Sequence, residues 1–206
     1  NYNVDFVPIP FLDPMGKVKS GLASFSNLTT TRAERRSYDS QFSWPTRLFF
    51  LDRCFLAQIA KLDDGTDICF INTHCSAYDT AGVMVANEIK RLMSYADSVY
   101  KTGTTVIIGG DWNQCPPGYQ PKDPKTYNEY ILSDDQLPAN WRWVADIETP
   151  TNRKMNTVYN PETSYTSVID HFVVSPDVEV LGVKTINLDF AFSDHQPVRL
   201  DFRVRK

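Results

Sequence analysis

Six residues of this chain have the side-chain types from which a hydrolytic centre can be assembled: His74, Asp111, Asn113, Asp170, Asp194 and His195. Carboxylates are the ligands that a hard cation such as Mg²⁺ takes, because it prefers oxygen. A carboxylate or imidazole can relieve a water of its proton, and N–H donors can steady charge developing on phosphoryl oxygens. Each fragment alone has an ordinary reading. Asp111 and Asn113 can close a turn by bonding their own backbone, and Ser193-Asp194-His195 can be a capped turn. A lone histidine is more often structural than reactive. The combination points to metal-assisted hydrolysis.

These residues need elements to hold them. Val106 to Ile108 is an apolar run that reads as a buried strand, ended by Gly109-Gly110. Asp111 and Asn113 then stand at the open end of that strand, on one side of it if the strand persists. Asp170 lies inside Val168-Ile169-Asp170-His171-Phe172-Val173-Val174, where a carboxylate is costly to desolvate unless it is paired. A histidine ring is a fitting partner, because a carboxylate on one ring nitrogen fixes the tautomer and leaves the other nitrogen for substrate. His171 neighbours Asp170 on a strand, so it points to the opposite face and reads as structural or exposed.

The remaining elements follow in chain order. Tyr2 to Pro10 suggests a short strand, and Val18 to Phe25 a second. Thr29 to Trp44, with Arg32, Arg35 and Arg36, is polar and reads as a long exposed loop. Leu48 to Lys61 and Asp67 to Asn72 form a hairpin around Asp63-Asp64-Gly65, a good tight-turn signal. The second of these strands runs into Thr73-His74. Ala81 to Tyr100 is the best helix, with Val85, Ile89, Leu92, Ala96 and Val99 on one face and Lys101 and Gly103 closing it. Tyr127 to Leu132 is a short helix or turn, Trp141 to Ala145 a short strand, and Thr149 to Ser164 a polar loop. Ser167 to Ser175, Val178 to Leu188 and Gln196 to Val204 complete the strands. Strands with one long helix between two of them indicate a layered α/β or α+β domain.

The 206 residues suffice for one domain with a real core, and 42% hydrophobic with 13% aromatic residues excludes a disordered chain. No run approaches the roughly 18 apolar residues of a membrane span, and no signal-peptide pattern opens the chain. A formal charge of -4 argues mildly against a bulk nucleic-acid binder. Cys54, Cys69, Cys75 and Cys115 lack Cys-x-x-Cys spacing, so neither a zinc site nor a disulfide framework is expected. Cys54 and Cys69 read as core thiols.

Gly21-Leu22-Ala23-Ser24-Phe25-Ser26-Asn27, Thr73-His74, Gly110-Asp111-Trp112-Asn113, Ile169-Asp170-His171-Phe172 and Ser193-Asp194-His195 resemble, in this order, the motifs of the endonuclease/exonuclease/phosphatase superfamily. That group includes deoxyribonuclease I, abasic-site endonucleases, sphingomyelinases and inositol-polyphosphate phosphatases. The resemblance implies a deoxyribonuclease I-like α/β (α+β) fold: a four-layered β-sandwich of two mixed sheets with flanking helices, spanning residues 1–206 as one domain. It implies hydrolysis of a phosphoester by in-line attack of water, with Mg²⁺ or Mn²⁺ as Lewis acid and charge clamp. By matched position, Asp111 orients or deprotonates the water, and Asn113 holds a phosphate oxygen. Asp194 is a metal ligand. His195 contacts the scissile phosphate and is oriented by Asp170, and His74 is a second histidine donating to the phosphate.

Family members open with a strand carrying an Asn, then a strand carrying a metal-binding Glu, both ahead of the segment matched by Gly21 to Asn27. Nothing upstream of Gly21 supplies them, so the domain reads as N-terminally incomplete. Weak cation binding by these residues alone, and self-association through exposed sheet edges, are the expected consequences.

The substrate stays open among nucleic acid, a phospholipid head group and a small phosphate ester. Arg53 and Arg153 could contact an anion. Phe49-Phe50-Leu51 could touch a membrane, although an ordinary strand accounts for it as well. No protein partner, transmembrane segment or compartment is legible. The competing reading is an inactive relative or fragment that binds a phosphorylated ligand or a protein.

Overall fold

The apolar stripe of the long helix and the two apolar runs beside it assemble as a strand–helix–strand unit, and the rest of the fold is added to its edges and faces. The computed structural model describes residues 5–7, 18–38, 53–77, 82–122 and 130–205. Its strands are β1 (Asp5–Val7), β2 (Val18–Ser20), β3 (Thr30–Ser37), β4 (Cys54–Lys61), β5 (Asp67–His74), β6 (Thr105–Asp111), β7 (Arg142–Val144), β8 (Asn152–Arg153), β9 (Thr166–Ser167), β10 (Asp170–Val174), β11 (Val178–Thr185) and β12 (Val198–Val204). The helix α1 spans Val83–Tyr100.

One sheet has the order β3-β4-β5-β6-β10-β7. β5 and β6 run parallel, and their neighbours are antiparallel. A parallel pair needs a crossover, and α1 provides it. The start of α1 has no side-chain cap and no acid in its first turn, so the helix is held by burial of Val85, Ile89, Leu92, Met93 and Ala96. These residues pack on Phe55, Cys69, Ile71, Val106 and Ile108 of the sheet's outer face. At the other end, Lys101 N–H donates to Asp97 O and Gly103 turns at φ +87°.

The inner face carries Ala60, Ile68, Phe70, Ile107, Phe172 and Val174. It packs against the β11–β12 hairpin through Val180, Val183, Leu200, Phe202 and Val204. Among the described residues α1 therefore covers one face of the mixed six-stranded sheet and the antiparallel β11–β12 hairpin the other, with β1–β2 and β8–β9 as two further antiparallel pairs. No described helix is long and apolar enough to cross a membrane. All four cysteines are buried.

Four elements differ from expectation, the first being β8, a two-residue strand inside the expected polar loop Thr149 to Ser164. Thr30–Ser37 is a strand, not a loop. As an edge strand it is wetted on both faces, so charged residues suit it and the alternation that marks a half-buried strand is faint. The run from Ser167 to Ser175 is two strands, because the chain changes partners at Val168-Ile169. β9 pairs with β8, whereas β10 pairs with β6 and β7. Around residue 25 the chain has left the sheet, and β2 ends at Ser20. The hairpin signal holds: β4 and β5 pair through a turn in which Gly65 takes φ +85° and Thr66 N–H donates to Asp64 Oδ1. Phe49-Phe50-Leu51 and residues 123–129 lie outside the described residues. Ile131 forms a bridge with Cys115.

Candidate active site

Three strand ends set the site. In the parallel pair β5–β6, His74 stands opposite Asp111; in the antiparallel pair β6–β10, Asp170 stands opposite Asp111. The three side chains thus share one row across adjacent strands. They lie on the face that continues from Phe70, Ile107 and Phe172 toward the hairpin, because residues two apart on a strand share a side.

The glycines before Asp111 make this row possible. A Cβ on Gly110, where φ is +153°, would lie 2.0 Å from the Thr73 carbonyl oxygen. A Cβ on Gly109 would lie 2.7 Å from the Phe172 ring. Beyond Asp111, fully buried Trp112 fixes the chain, its indole donating to His171 O at 2.9 Å. Asn113 turns at φ +52°, a conformation Asn tolerates. Its N–H donates to Asp111 Oδ1 at 2.8 Å, and its Nδ2 donates to the Cys75 carbonyl at 2.9 Å. The turn reading of Asp111-Trp112-Asn113 and the active-site reading therefore hold together.

His195 arrives from the loop ahead of β12. Its Nδ1 meets Asp170 Oδ2 at 2.8 Å, the pairing expected for an acid among apolar residues. Its Nε2 lies 3.8 Å from Asp111 Oδ2 and 4.0 Å from Asp194 Oδ2. Thr151 holds the base of this arrangement. Its hydroxyl accepts Ile169 N–H and Asp170 N–H at 3.0 and 3.1 Å, and its carbonyl accepts Gln196 N–H.

Two residues outside the expected core of the site reach it. Asn152 Nδ2 is 2.9 Å from His195 Nε2. Arg53 Nη1 is 2.7 Å from His74 Nε2, and that same nitrogen is 3.3 Å from Asp111 Oδ2. Arg153 behaves differently from its neighbour. Its guanidinium donates to the Lys154 carbonyl at 3.3 Å, and its Nε is buried without a partner. Its backbone N–H donates to Asp194 O, so it borders the site by its main chain. His171 is structural: 1% exposed, stacked on Trp112 at 5.3 Å and donating to Gln114 O. Burial pushes its pKa down to about 3.

The charges in the site are set against one another. Burial, then the neighbouring Asp170 carboxylate, raises Asp111 to about 6. Burial opposes the His195 cation, yet the hydrogen bond and charge of Asp170, with Asp111 and Asp194, outweigh it and raise His195 to about 9. Burial, the Arg53 guanidinium and His195 push His74 down to about 4. At neutral pH the site therefore holds one neutral and one cationic imidazole. Neutral His74 accepts from Arg53, while His195 Nε2–H faces Asp111.

The His195 pair has a direct check. In the metal-free chain, the stability contributed by the Asp170–His195 pair is fully present below pH 6.5 and is lost as pH rises through about 9. The His195 ring should titrate near 9 by NMR, and Asp170→Asn should return it toward 6.5 and flatten the alkaline loss of thermal stability. A ring that titrates near 6.5 with Asp170 intact would contradict the pairing.

Asp111, Asp170 and His195 each place a ligand atom within 4.8 Å of the others. Two carboxylates crowded enough to lift the Asp111 pKa are the donors a hard divalent cation would relieve. The residues present therefore fit a cation.

The sequence matches the endonuclease/exonuclease/phosphatase family over residues 42–195. No curated protein matches it. Among solved structures, an endonuclease/exonuclease/phosphatase from Beutenbergia cavernae DSM 12333 aligns with a TM-score of 0.66 at 16% identity, over 99% of this chain and 53% of that one. The human Nocturnin catalytic domain with bound sulfate anion aligns at 0.59 and 16% identity, over 98% and 72%. Truncated Caenorhabditis elegans TDP2 aligns at 0.56 and 15% identity, over 96% and 73%. At these identities the likeness is one of fold.

Proposed function

The chain belongs to the endonuclease/exonuclease/phosphatase family, and on that premise we propose that it hydrolyses a phosphoester by in-line attack of a water activated at Asp111. The observation that carries this reading is the row His74–Asp111–Asp170, closed by a His195 whose Nε2 lies 3.8 Å from Asp111 Oδ2.

A carboxylate raised to about 6 is a better base at neutral pH than an ordinary aspartate, and it is still ionised there. Asp111 orients the water and takes its proton as that oxygen bonds to phosphorus, while the ester P–O bond opposite it breaks and the departing oxygen takes a proton from solvent. Asn113 has one Nδ2 hydrogen committed to the Cys75 carbonyl; the other holds a phosphoryl oxygen. His195, kept cationic and fixed at Nδ1 by Asp170, presents Nε2–H to the phosphoryl group and stabilises its growing charge. Asn152, whose Nδ2 donates to the Asp194 carbonyl at 3.3 Å, packs beside that ring. Arg53 and His74 act as a pair at the opposite border of the row. The guanidinium contacts a phosphate oxygen, and His74 donates to another once Arg53 has shifted to the substrate and the ring proton has passed, through solvent, from Nδ1 to Nε2. Arg153 contributes a positive charge at the rim. Asp194 would be a ligand of Mg²⁺ or Mn²⁺, and the cation would supply Lewis-acid polarisation of the phosphoryl oxygens.

Relatives of this fold give the substrate range some shape. ANGEL2 is described as a 2',3'-cyclic phosphatase in complex with adenosine-2',3'-vanadate, and Danio rerio TDP2 as complexed with a single-strand DNA product. Phosphate esters of nucleotides are therefore the first substrates to try. A panel of phosphodiesters and phosphomonoesters, assayed with Mg²⁺ or Mn²⁺ and again with EDTA, should show hydrolysis of at least one member that EDTA abolishes. A protein inert on the whole panel would favour a binding module instead.

A further inference from the structure

Among the described residues, one buried acid has no part in the hydrolytic scheme. Glu88, on α1, is 7% exposed. Its Oε2 accepts Ser76 N–H at 2.8 Å, and its Oε1 accepts the Ser76 hydroxyl at 2.6 Å. Burying a carboxylate is costly unless strong bonds compensate, and charge-assisted bonds from both donors of one residue are of that kind. The grip falls on the segment that leaves β5 just after His74.

One residue earlier, Cys75 makes two bonds to the site. Its N–H donates to Asp111 O at 2.9 Å, and its carbonyl accepts Asn113 Nδ2 at 2.9 Å. Asn113 sits past the end of β6 in a left-handed turn, so no strand pairing orients its side chain. The Cys75 carbonyl does so, and that carbonyl hangs between two anchors: its own N–H on Asp111, and Ser76 on Glu88.

We propose that Glu88 is a positioning residue for the active site: by holding Ser76 it fixes the Cys75 carbonyl, and through it the orientation of the Asn113 carboxamide. The catalytic consequence rests on the phosphoester reading above; the structural linkage does not. Misplacing a substrate-holding group by about 1 Å can lower a rate on the order of 100-fold.

The test is a double-mutant cycle on the panel's best substrate. Glu88→Ala should lower kcat by about 10- to 100-fold with KM nearly unchanged. Glu88→Gln, which still offers Ser76 an acceptor and a second polar group, should restore most of the loss. In an Asn113→Ala background, Glu88→Ala should add almost nothing; equal losses in both backgrounds would overturn the proposal. Should Glu88→Ala fail to fold, Ser76→Ala removes one of the two donors and enters the same cycle, with a smaller loss that again vanishes without Asn113.

A second readout needs no substrate. The Asn113 side-chain NH₂ should give a dispersed, slowly exchanging NMR pair in the parent and in Glu88→Gln. In Glu88→Ala, or Ser76→Ala, it should collapse toward the solvent-exposed position. An unchanged pair would refute the linkage even if the parent hydrolyses nothing, and a collapsed pair in an inert parent would refute only the hydrolase reading.

Discussion

Replacing His195 by alanine, or Asp111 by asparagine, should lower kcat/KM by about 1000-fold or more on any substrate the protein turns over, roughly 4 kcal/mol of transition-state stabilisation. The two side chains act on opposite sides of one event. Asp111 removes the proton as the new P–O bond forms, and His195 meets the charge that this bond displaces. Asp170→Asn, which leaves both in place but loosens the ring, should cost less, about 100-fold.

The signs of the stability changes distinguish this from simple damage. Folding raises the Asp111 pKa from 3.8 to about 6, so the ionised form is disfavoured in the native chain. Its contribution to stability therefore falls as pH rises through that window. Asp111→Asn removes the charge and its repulsion with Asp170, so the metal-free variant should melt at or above the parent temperature at neutral pH. Loss of turnover without loss of stability is the pattern of a residue retained for chemistry. Steady-state rates beside thermal unfolding in EDTA would check both halves. Variants within tenfold of parent activity would end the assignment.

Gly110→Ala should have the largest effect on the fold itself: about 4 kcal/mol or more, enough to lower the melting temperature by some 10 °C or to prevent folding. The new methyl would need to occupy space 2.0 Å from the Thr73 carbonyl oxygen, and the backbone there has φ +153°. Neither neighbour can swing away, because β5 and β6 are paired at that row. Gly109→Ala provides the contrast. Its Cβ meets the Phe172 ring at 2.7 Å, and a side chain can repack for about 1–3 kcal/mol. Denaturant titrations of the two variants should rank Gly110 well above Gly109; the reverse order would mean that strand approach does not set this row.

These residues also show how far the chain could be read without coordinates. Gly109-Gly110 stood out as a strand end, but the close approach of β5 that requires Gly110 depends on which strand lies beside β6, and residue pattern does not specify that. Asp170 was legible, because an acid inside an apolar run demands a partner, and His195 is that partner. Arg53 reads in the sequence only as a possible anion contact. The hairpin turn at Asp63-Asp64-Gly65 held the stronger signal. Counting back from it pairs Cys54 with His74 and leaves Arg53 beside the histidine. Asn152 left no such trace. It sits in a polar stretch, and it meets His195 through an isolated bridge between segments far apart in the chain. β3 was missed for the opposite reason: an edge strand open to water on both sides loses the contrast between faces that identifies a strand.

The row of three strand ends has a consequence for how the molecule comes to work during its own folding. β5, α1 and β6 are consecutive and can collapse together early, bringing His74 to Asp111. Asp170 joins only when a segment made much later returns to lie antiparallel to β6, and His195 only when the stretch ahead of β12 settles on Asn152. Contacts of such separation in sequence form slowly. Turnover should therefore be the last property to appear on refolding, lagging behind helix content, and a chain halted anywhere short of residue 195 should possess most of its architecture and none of its power.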